Sequence, residues 1–322
     1  MKIRSVNNKA TQFMLFLVVT YFGFNLVLGA IIGAVSMFGD IPFENMITSP
    51  LVLMMTQVGG LLVPLFIWLN ITDDKFKASM PKHKLGTTNI VIVIALGFLA
   101  QPAMMVISYI TSLFFPNVAD ELITAMAAQP LLLMLVAVAV TPGIVEEVVF
   151  RGYVQSRTPG TTVLKMALLN GLLFGMIHMN FQQFSYAFVM GVLLAYLVYY
   201  TKSIWAGIIP HFIMNATQVT LGRFAQEAEA TLATYYNGMP EISEAVSVVI
   251  LVVVAVIASV ICAVLIRALI SHNKERFENE PQETTDILKL FAIETGERKV
   301  ITIDWCFWAS VVLFLLAAIF LM

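Results

Sequence analysis

The chain has 322 residues, of which 59% are hydrophobic and only 12% charged, and its mean hydropathy is +0.88; soluble domains of ordinary composition do not reach such values. Its 18 lysines and arginines nearly balance 20 aspartates and glutamates. No concentrated basic surface is left to neutralise phosphates, so nucleic acid is excluded as a partner. What remains is a polytopic membrane protein whose partners are the lipid bilayer and membrane-associated proteins or peptides.

A helix that crosses a hydrocarbon core of about 30 Å needs about 20 mostly apolar residues. Nine runs approach or exceed that length: Thr11–Phe38, Pro50–Ile71, Asn89–Phe115, Gln129–Gln155, Thr162–Met179, Gln182–Tyr200, Ser203–Leu221, Ala245–Leu269 and Trp305–Met322. The first is too long for a signal-peptide core and lacks a clear small-residue cleavage site, so it reads as a retained span. The expected fold class is therefore all-α, a polytopic transmembrane helical bundle of about 8–9 spans. It divides into N-terminal helices over residues 1–128, a central set over 129–221, and C-terminal helices over 222–322 that include a polar linker at 271–304.

Lysine and arginine favour cytoplasmic loops. With the N-terminus cytoplasmic, alternate loops and the helix ends beside them take every basic residue except Arg223. The opposite loops carry Asp40, Glu44, Asp120, Glu121, Glu227, Glu229, Glu241 and Glu244. This sorting predicts an integral protein of the cell (inner) membrane. In the linker, an apolar patch at Ile287, Leu288, Leu290, Phe291, Ala292 and Ile293 reads as a short interfacial helix. Cys262 and Cys306 lie in distant apolar runs without ligand spacing and read as packing residues. His83 and His272 read as solvated.

One stretch breaks the apolar pattern at bilayer depth: Glu146 and Glu147, followed by Arg151. Intramembrane charges cost roughly 2.5–3.5 kcal/mol each on insertion scales and mark function by default. Residues four apart share a helix face, so Glu147 pairs with Arg151 while Glu146 points elsewhere. Glu147 then braces the helix, and Glu146 is free for proton transfer. Two histidines lie in neighbouring runs: His178, and His211 with Asn215 one turn on. Pro142 and Pro210 precede these groups, and each should bend its helix and free a carbonyl one turn back. Gly152, Gly171, Gly175, Gly191 and Gly207 permit close helix approach around the same place. A base, an imidazole and neutral donors are the inventory for attacking an amide with water. Glu146, assisted by His178, would deprotonate the water, and His211 and Asn215 would donate to the oxyanion.

These residues resemble the CPBP family of intramembrane proteases, which includes the type II CAAX prenyl endopeptidases and bacteriocin self-immunity proteins. Glu-Glu-x-x-x-Arg stands as Glu146, Glu147 and Arg151, Phe-x-x-x-His as Phe174 and His178, and His-x-x-x-Asn as His211 and Asn215. The resemblance covers about Gln129 to Leu221 and implies a CPBP-like four-helix catalytic core. It also implies endopeptidase activity on a membrane-associated protein or peptide, whether or not that substrate carries a prenylated CAAX-type terminus. Catalysis would fall to Glu146, His178, His211 and Asn215, supported by Glu147, Arg151 and Phe174. The resemblance favours a metal-independent glutamate mechanism with no cofactor; the alternative is zinc held by Glu146, His178 and His211. A proton-coupled transporter and a non-catalytic scaffold are the competing functions. Straight spans would put Glu146 and His211 about 15 and 12 Å from their inner helix ends but His178 about 24 Å. Convergence therefore requires that the fifth helix begin later or tilt strongly, or that the fourth continue into the cytoplasm, and the first of these is the expectation.

Overall fold

The computed structural model describes residues 9–39, 41–158, 162–235, 243–278 and 304–320. Each of the nine apolar runs holds one principal helix. In chain order they are α1 (Lys9–Gly39), α2 (Pro50–Thr72), α3 (Thr87–Ser112), α4 (Leu131–Arg157), α5 (Val163–Met176), α6 (Phe181–Thr201), α7 (Trp205–Tyr235), α8 (Glu244–Glu278) and α9 (Trp305–Phe320). No strand occurs among the described residues, and the fold is the all-α bundle that the sequence predicts. α1, α2, α3, α4, α6 and α8 are long and apolar enough to cross a membrane. The chain is an integral membrane protein.

Three boundaries differ from the sequence reading. α5 has 14 residues, fewer than the run that contains it. The seventh run is the first part of a helix that continues to Tyr235. α8 runs to Glu278, past the expected start of the linker at 271, because Lys274, Glu275 and Arg276 are good helix formers despite their polarity. The patch from Ile287 to Ile293 lies outside the described residues.

Local chemistry sets the helix ends. Pro50 opens α2, where a missing N–H costs nothing. The Asn180 side chain accepts a hydrogen bond from the Gln183 N–H at 2.9 Å and so caps α6. Lys202 ends that helix in the left-handed region, at φ 52°.

Contacts between helix ends show that successive helices alternate in direction. At one face of the bundle, Thr11 of α1 donates to Asp304, just before α9, at 2.9 Å. Asn89 of α3 and Asn273 of α8 exchange amide hydrogen bonds at 2.9 Å. The segment after α2 pairs with the α6–α7 turn, through His83 N–H to Lys202 O at 3.0 Å and Ile204 N–H to Pro81 O at 3.1 Å. At the other face, Tyr109 of α3 donates to Glu244 of α8 at 2.8 Å, and Arg223 of α7 donates to the carbonyls of Ala127 and Gln129 just before α4.

The buried core centres on α4, α5 and α6, with Phe150, Tyr153, Phe174, Leu194 and Val198 fully enclosed. α5 and α6 meet at Gly171 and Gly191: a Cβ on Gly191 would lie 2.7 Å from the Gly171 Cα. Small residues of this kind let backbones approach in a bilayer, where apolar side chains gain little by leaving lipid.

Asp74, just beyond α2, ties three helices together. It pairs with Lys9 of α1 at 3.1 Å and Arg157 of α4 at 3.2 Å, and it accepts the Tyr153 hydroxyl at 2.9 Å. Burial pushes its carboxyl up, but the hydrogen bonds from Lys9 and Tyr153, with the charges of Arg157 and Lys9, outweigh burial and hold it below its ordinary value. A carboxyl depressed in the folded state contributes stability above its unfolded pKa and loses it as pH falls through the folded one. Asp74→Asn is therefore expected to lower the melting temperature of the purified protein at pH 7. The gap from wild type should close as the pH drops through the acid end of the carboxylate range.

Candidate active site

Glu146 and Glu147 sit in a short α-helical stretch of α4, Thr141–Glu147, between two π-helical segments, Val136–Val140 and Val148–Val154. The first irregularity follows from Pro142. It has no N–H to offer the Val138 carbonyl one turn back, and Asn215 of α7 takes that carbonyl instead, Nδ2 donating at 3.0 Å. Thr141 meanwhile donates its hydroxyl to the Val136 carbonyl at 2.8 Å. Across the second segment, Asn170 of α5 donates to the Phe150 carbonyl at 3.0 Å. π segments are frequent at functional sites, and here each receives an amide side chain from a neighbouring helix.

Glu147 is fully buried. Its Oε1 lies 2.9 Å from Arg151 Nη1 and 2.9 Å from His211 Nδ1. Glu147 thus pairs with Arg151, as the four-residue spacing requires, and also holds the imidazole of α7, a partner that the sequence reading did not give it. A carboxylate ionised by arginine only accepts hydrogen bonds, so His211 carries a proton on Nδ1. Its Nε2 then faces Glu146, 3.8 Å from Oε2. That is beyond direct hydrogen bonding and within reach of a bridging polar group.

Phe174 organises the remaining groups. The Arg151 guanidinium lies 4.3 Å from the centre of its ring. His178 and His211 both meet that ring edge-on, with centroids 5.2 and 5.9 Å away. Arg151 also donates through Nη2 to the Gly191 carbonyl of α6 at 3.2 Å. Residues of α4, α5, α6 and α7 therefore meet around one buried cation.

His178 lies two residues past the end of α5, its Nδ1 3.0 Å from the Phe174 carbonyl. A carbonyl oxygen can only accept, so Nδ1 bears the proton and Nε2 is left as the basic nitrogen. His178 is within electrostatic reach of both Glu146 and His211, with no direct hydrogen bond to either. The expected late start of the fifth helix is not how this comes about, since α5 begins at Val163. Asn215 stands one turn below His211 and uses one of its two amide protons on Val138, leaving one for another acceptor.

Glu146, Glu147, Arg151, Phe174, His178, His211 and Asn215 thus lie around one site. Asn170 and the carbonyls of Val138 and Gly191 are additional parts. Asn170 had a legible signal, an amide in the middle of an apolar run; the carbonyls had none beyond Pro142. Among the described residues no three His, Cys, Asp or Glu side chains gather as metal ligands. Each imidazole has Nδ1 held by a carbonyl or a carboxylate and Nε2 uncommitted, an arrangement that ligating histidines also show.

Residues 128–217, which hold all of these groups, match the family model described as Type II CAAX prenyl endopeptidase Rce1-like. This segment is an Rce1-like domain of the CPBP family. The family is one of CAAX-type intramembrane proteases, hydrolases that act on protein substrates. No curated protein and no solved structure is matched by the chain. The Rce1-like domain runs from just before α4 into α7, and the residues described above sit where those helices meet.

Gly207 of α7 faces this centre. A Cβ there would run into Glu147 Oε2, an atom enclosed by the core. Gly207→Ala is expected to cost about 1–3 kcal/mol by overpacking, read as a lower melting temperature. Gly29→Ala, where nothing lies within 4 Å, should cost nothing.

Proposed function

We propose that the chain is an intramembrane endopeptidase that hydrolyses a peptide bond of a membrane-associated protein or peptide with glutamate-activated water. The observation that carries this reading is the pair of adjacent carboxylates in unlike surroundings: Glu147 bound to Arg151 and His211, and Glu146 left facing His211 Nε2 across 3.8 Å.

In this mechanism a water lies between Glu146 and the basic Nε2 of His178. Glu146 takes its proton as the oxygen attacks the scissile carbonyl, and the C=O π pair moves onto oxygen. The oxyanion is met by His211, protonated on Nε2 with Glu147 balancing the charge, and by the remaining N–H of Asn215. Glu146 then returns the proton to the amine as the C–N bond breaks. Removing a preorganised oxyanion donor of this type costs about 2.7–4 kcal/mol, or about 10²–10³ in kcat. The substrate is a polypeptide at the membrane, with a prenylated CAAX-type terminus as one form and an unmodified peptide as the other. The protein sits in the cell (inner) membrane with its N-terminus cytoplasmic, a placement supported by the collection of basic residues at one face of the bundle.

Glu146→Gln is expected to abolish cleavage while the protein stays folded in membranes. Comparing protein termini in membranes that hold the wild type or Glu146→Gln would reveal the substrate as termini that disappear. An identical set of termini would sink the protease reading in favour of transport or scaffolding. Cleavage by the purified protein should also survive exhaustive treatment with a strong metal chelator, and loss of activity restored by zinc would overturn the metal-independent step.

A further inference from the structure

Between α2 and α3 the chain stays on the bundle. Residues 75–85 cross the Rce1-like domain as a strap with two unlike faces. Phe76 and Met80 are half-buried and Ser79, Pro81 and Leu85 buried, while Lys75, Lys77, Lys82 and Lys84 are exposed. The inward face grips two helices of the domain. Its single helical turn, Phe76–Ser79, packs on the second π segment of α4. Met80 fills the space over Gly152, where a Cβ would run into Cε and stand 2.8 Å from Sδ. Lys82 and Ser203 then form an antiparallel bridge, with the Pro81 carbonyl accepting from Ile204 N–H at 3.1 Å and His83 N–H donating to the Lys202 carbonyl at 3.0 Å.

These anchor points adjoin the glutamate centre. Gly152 follows Arg151 in α4. Ile204 lies one turn before Gly207, the residue against which Glu147 Oε2 rests. The strap therefore ties α4 to α7 next to the level at which Glu147 joins Arg151 to His211.

The outward face carries one sign of charge. The sequence has no aspartate or glutamate from Lys75 to Ala119, and none from Val148 to Gln226, the stretches that supply the strap and its seat. Of the two carboxylates just before it, Asp74 is taken by Lys9, Arg157 and Tyr153, and Asp73 is exposed. Lys75 lies three positions past the end of α2 and Lys84 three before the start of α3, so both ends of the strap are held at headgroup depth. The preference of lysine for one side of the membrane accounts for these residues being on this face. It does not account for their being carried on a segment seated across the domain.

We propose that the strap is a docking surface for anionic phospholipid headgroups, and that headgroups bound to Lys75, Lys77 and Lys82 hold it on α4 and α7 and so raise activity at the glutamate centre. Lysine clusters immediately beyond a span attract such lipids. Zwitterionic headgroups carry no net charge and lack that attraction. The docking surface is independent of the protease reading, and its effect on catalysis rests on that reading.

The test uses the purified full-length protein in vesicles of phosphatidylcholine alone or with a third of it replaced by phosphatidylglycerol. The charged lipid is expected to raise the wild-type melting temperature by a few degrees. It should also raise kcat on a cleaved membrane peptide about 5-fold, the low end of coupling between two sites. Both effects should vanish in about 1 M salt, where the screening length is about 3 Å. The combined variant Lys75→Gln, Lys77→Gln and Lys82→Gln should match wild type in phosphatidylcholine and show neither rise with phosphatidylglycerol. Lys75→Arg, Lys77→Arg and Lys82→Arg together should keep both. An equal thermal rise in the glutamine variant, or none in wild type, overturns the proposal. A lysine-dependent thermal rise with unchanged kcat overturns the coupling to the glutamate centre. The same thermal rise in a protein that cleaves no membrane peptide keeps the lipid surface and places the failure in the protease reading.

Discussion

A guanidinium and a carboxylate with no exposure to solvent, Arg151 and Glu147, set the terms for the rest of the bundle. Such a pair is a poor source of stability, because desolvating two ions costs several kcal/mol each before their attraction is counted. Further partners from other helices offset part of that cost, although Arg151 Nε and Glu147 Oε2 have no hydrogen-bond partner among the described residues. Arg151 finds the Gly191 carbonyl of α6 and the ring face of Phe174 of α5, and Glu147 finds His211 of α7. Each of these partners comes from a different helix. The cost of burying the charges therefore becomes a geometric specification: shifting any one of the helices would leave a charge or a donor unmatched.

The backbone of α4 is shaped to the same end. A regular α-helix satisfies its own carbonyls and has nothing to offer its neighbours. Between Val136 and Val154 α4 is regular only over the seven residues that carry the glutamates. The carbonyls of Val138 and Phe150, on either side, are taken by Asn215 and Asn170. Unwound backbone is acceptable at membrane depth when protein meets its polar groups. Here those amides fix α7 and α5 against α4 at the level of the glutamates.

Much of this was legible in the sequence, for physical reasons that can be named. A span in lipid must satisfy its backbone internally, so runs of apolar residues translate directly into helices; all nine runs hold one. The pairing of Glu147 with Arg151 follows from helical periodicity. That Pro142 would free a carbonyl one turn back also follows from its missing N–H, but which residue takes it does not, since Asn215 is 77 positions away. The second partner of Glu147 was illegible for the same reason. Nothing local in His211 distinguishes an imidazole aimed at an oxyanion from one held by a carboxylate; here it is held by Glu147 through one nitrogen and faces Glu146 with the other. Helix ends were the weakest point, because Lys274, Glu275 and Arg276 of α8 are polar by composition and helical by propensity.

The contact between α1 and α9 bears on how the bundle is assembled. Ala10, Phe13, Met14 and Leu17 bury one face of α1, α9 packs along α1, and Thr11 is bonded to Asp304 at the start of α9. A membrane chain is inserted from its N-terminal end, so α1 enters the bilayer before the last of its neighbours has been synthesised. Until then Thr11 has no Asp304, and part of the helix face is covered by lipid alone. Closure of the bundle is thus a late event in biogenesis, and a truncation before Trp305 would leave its mark at the opposite end of the chain.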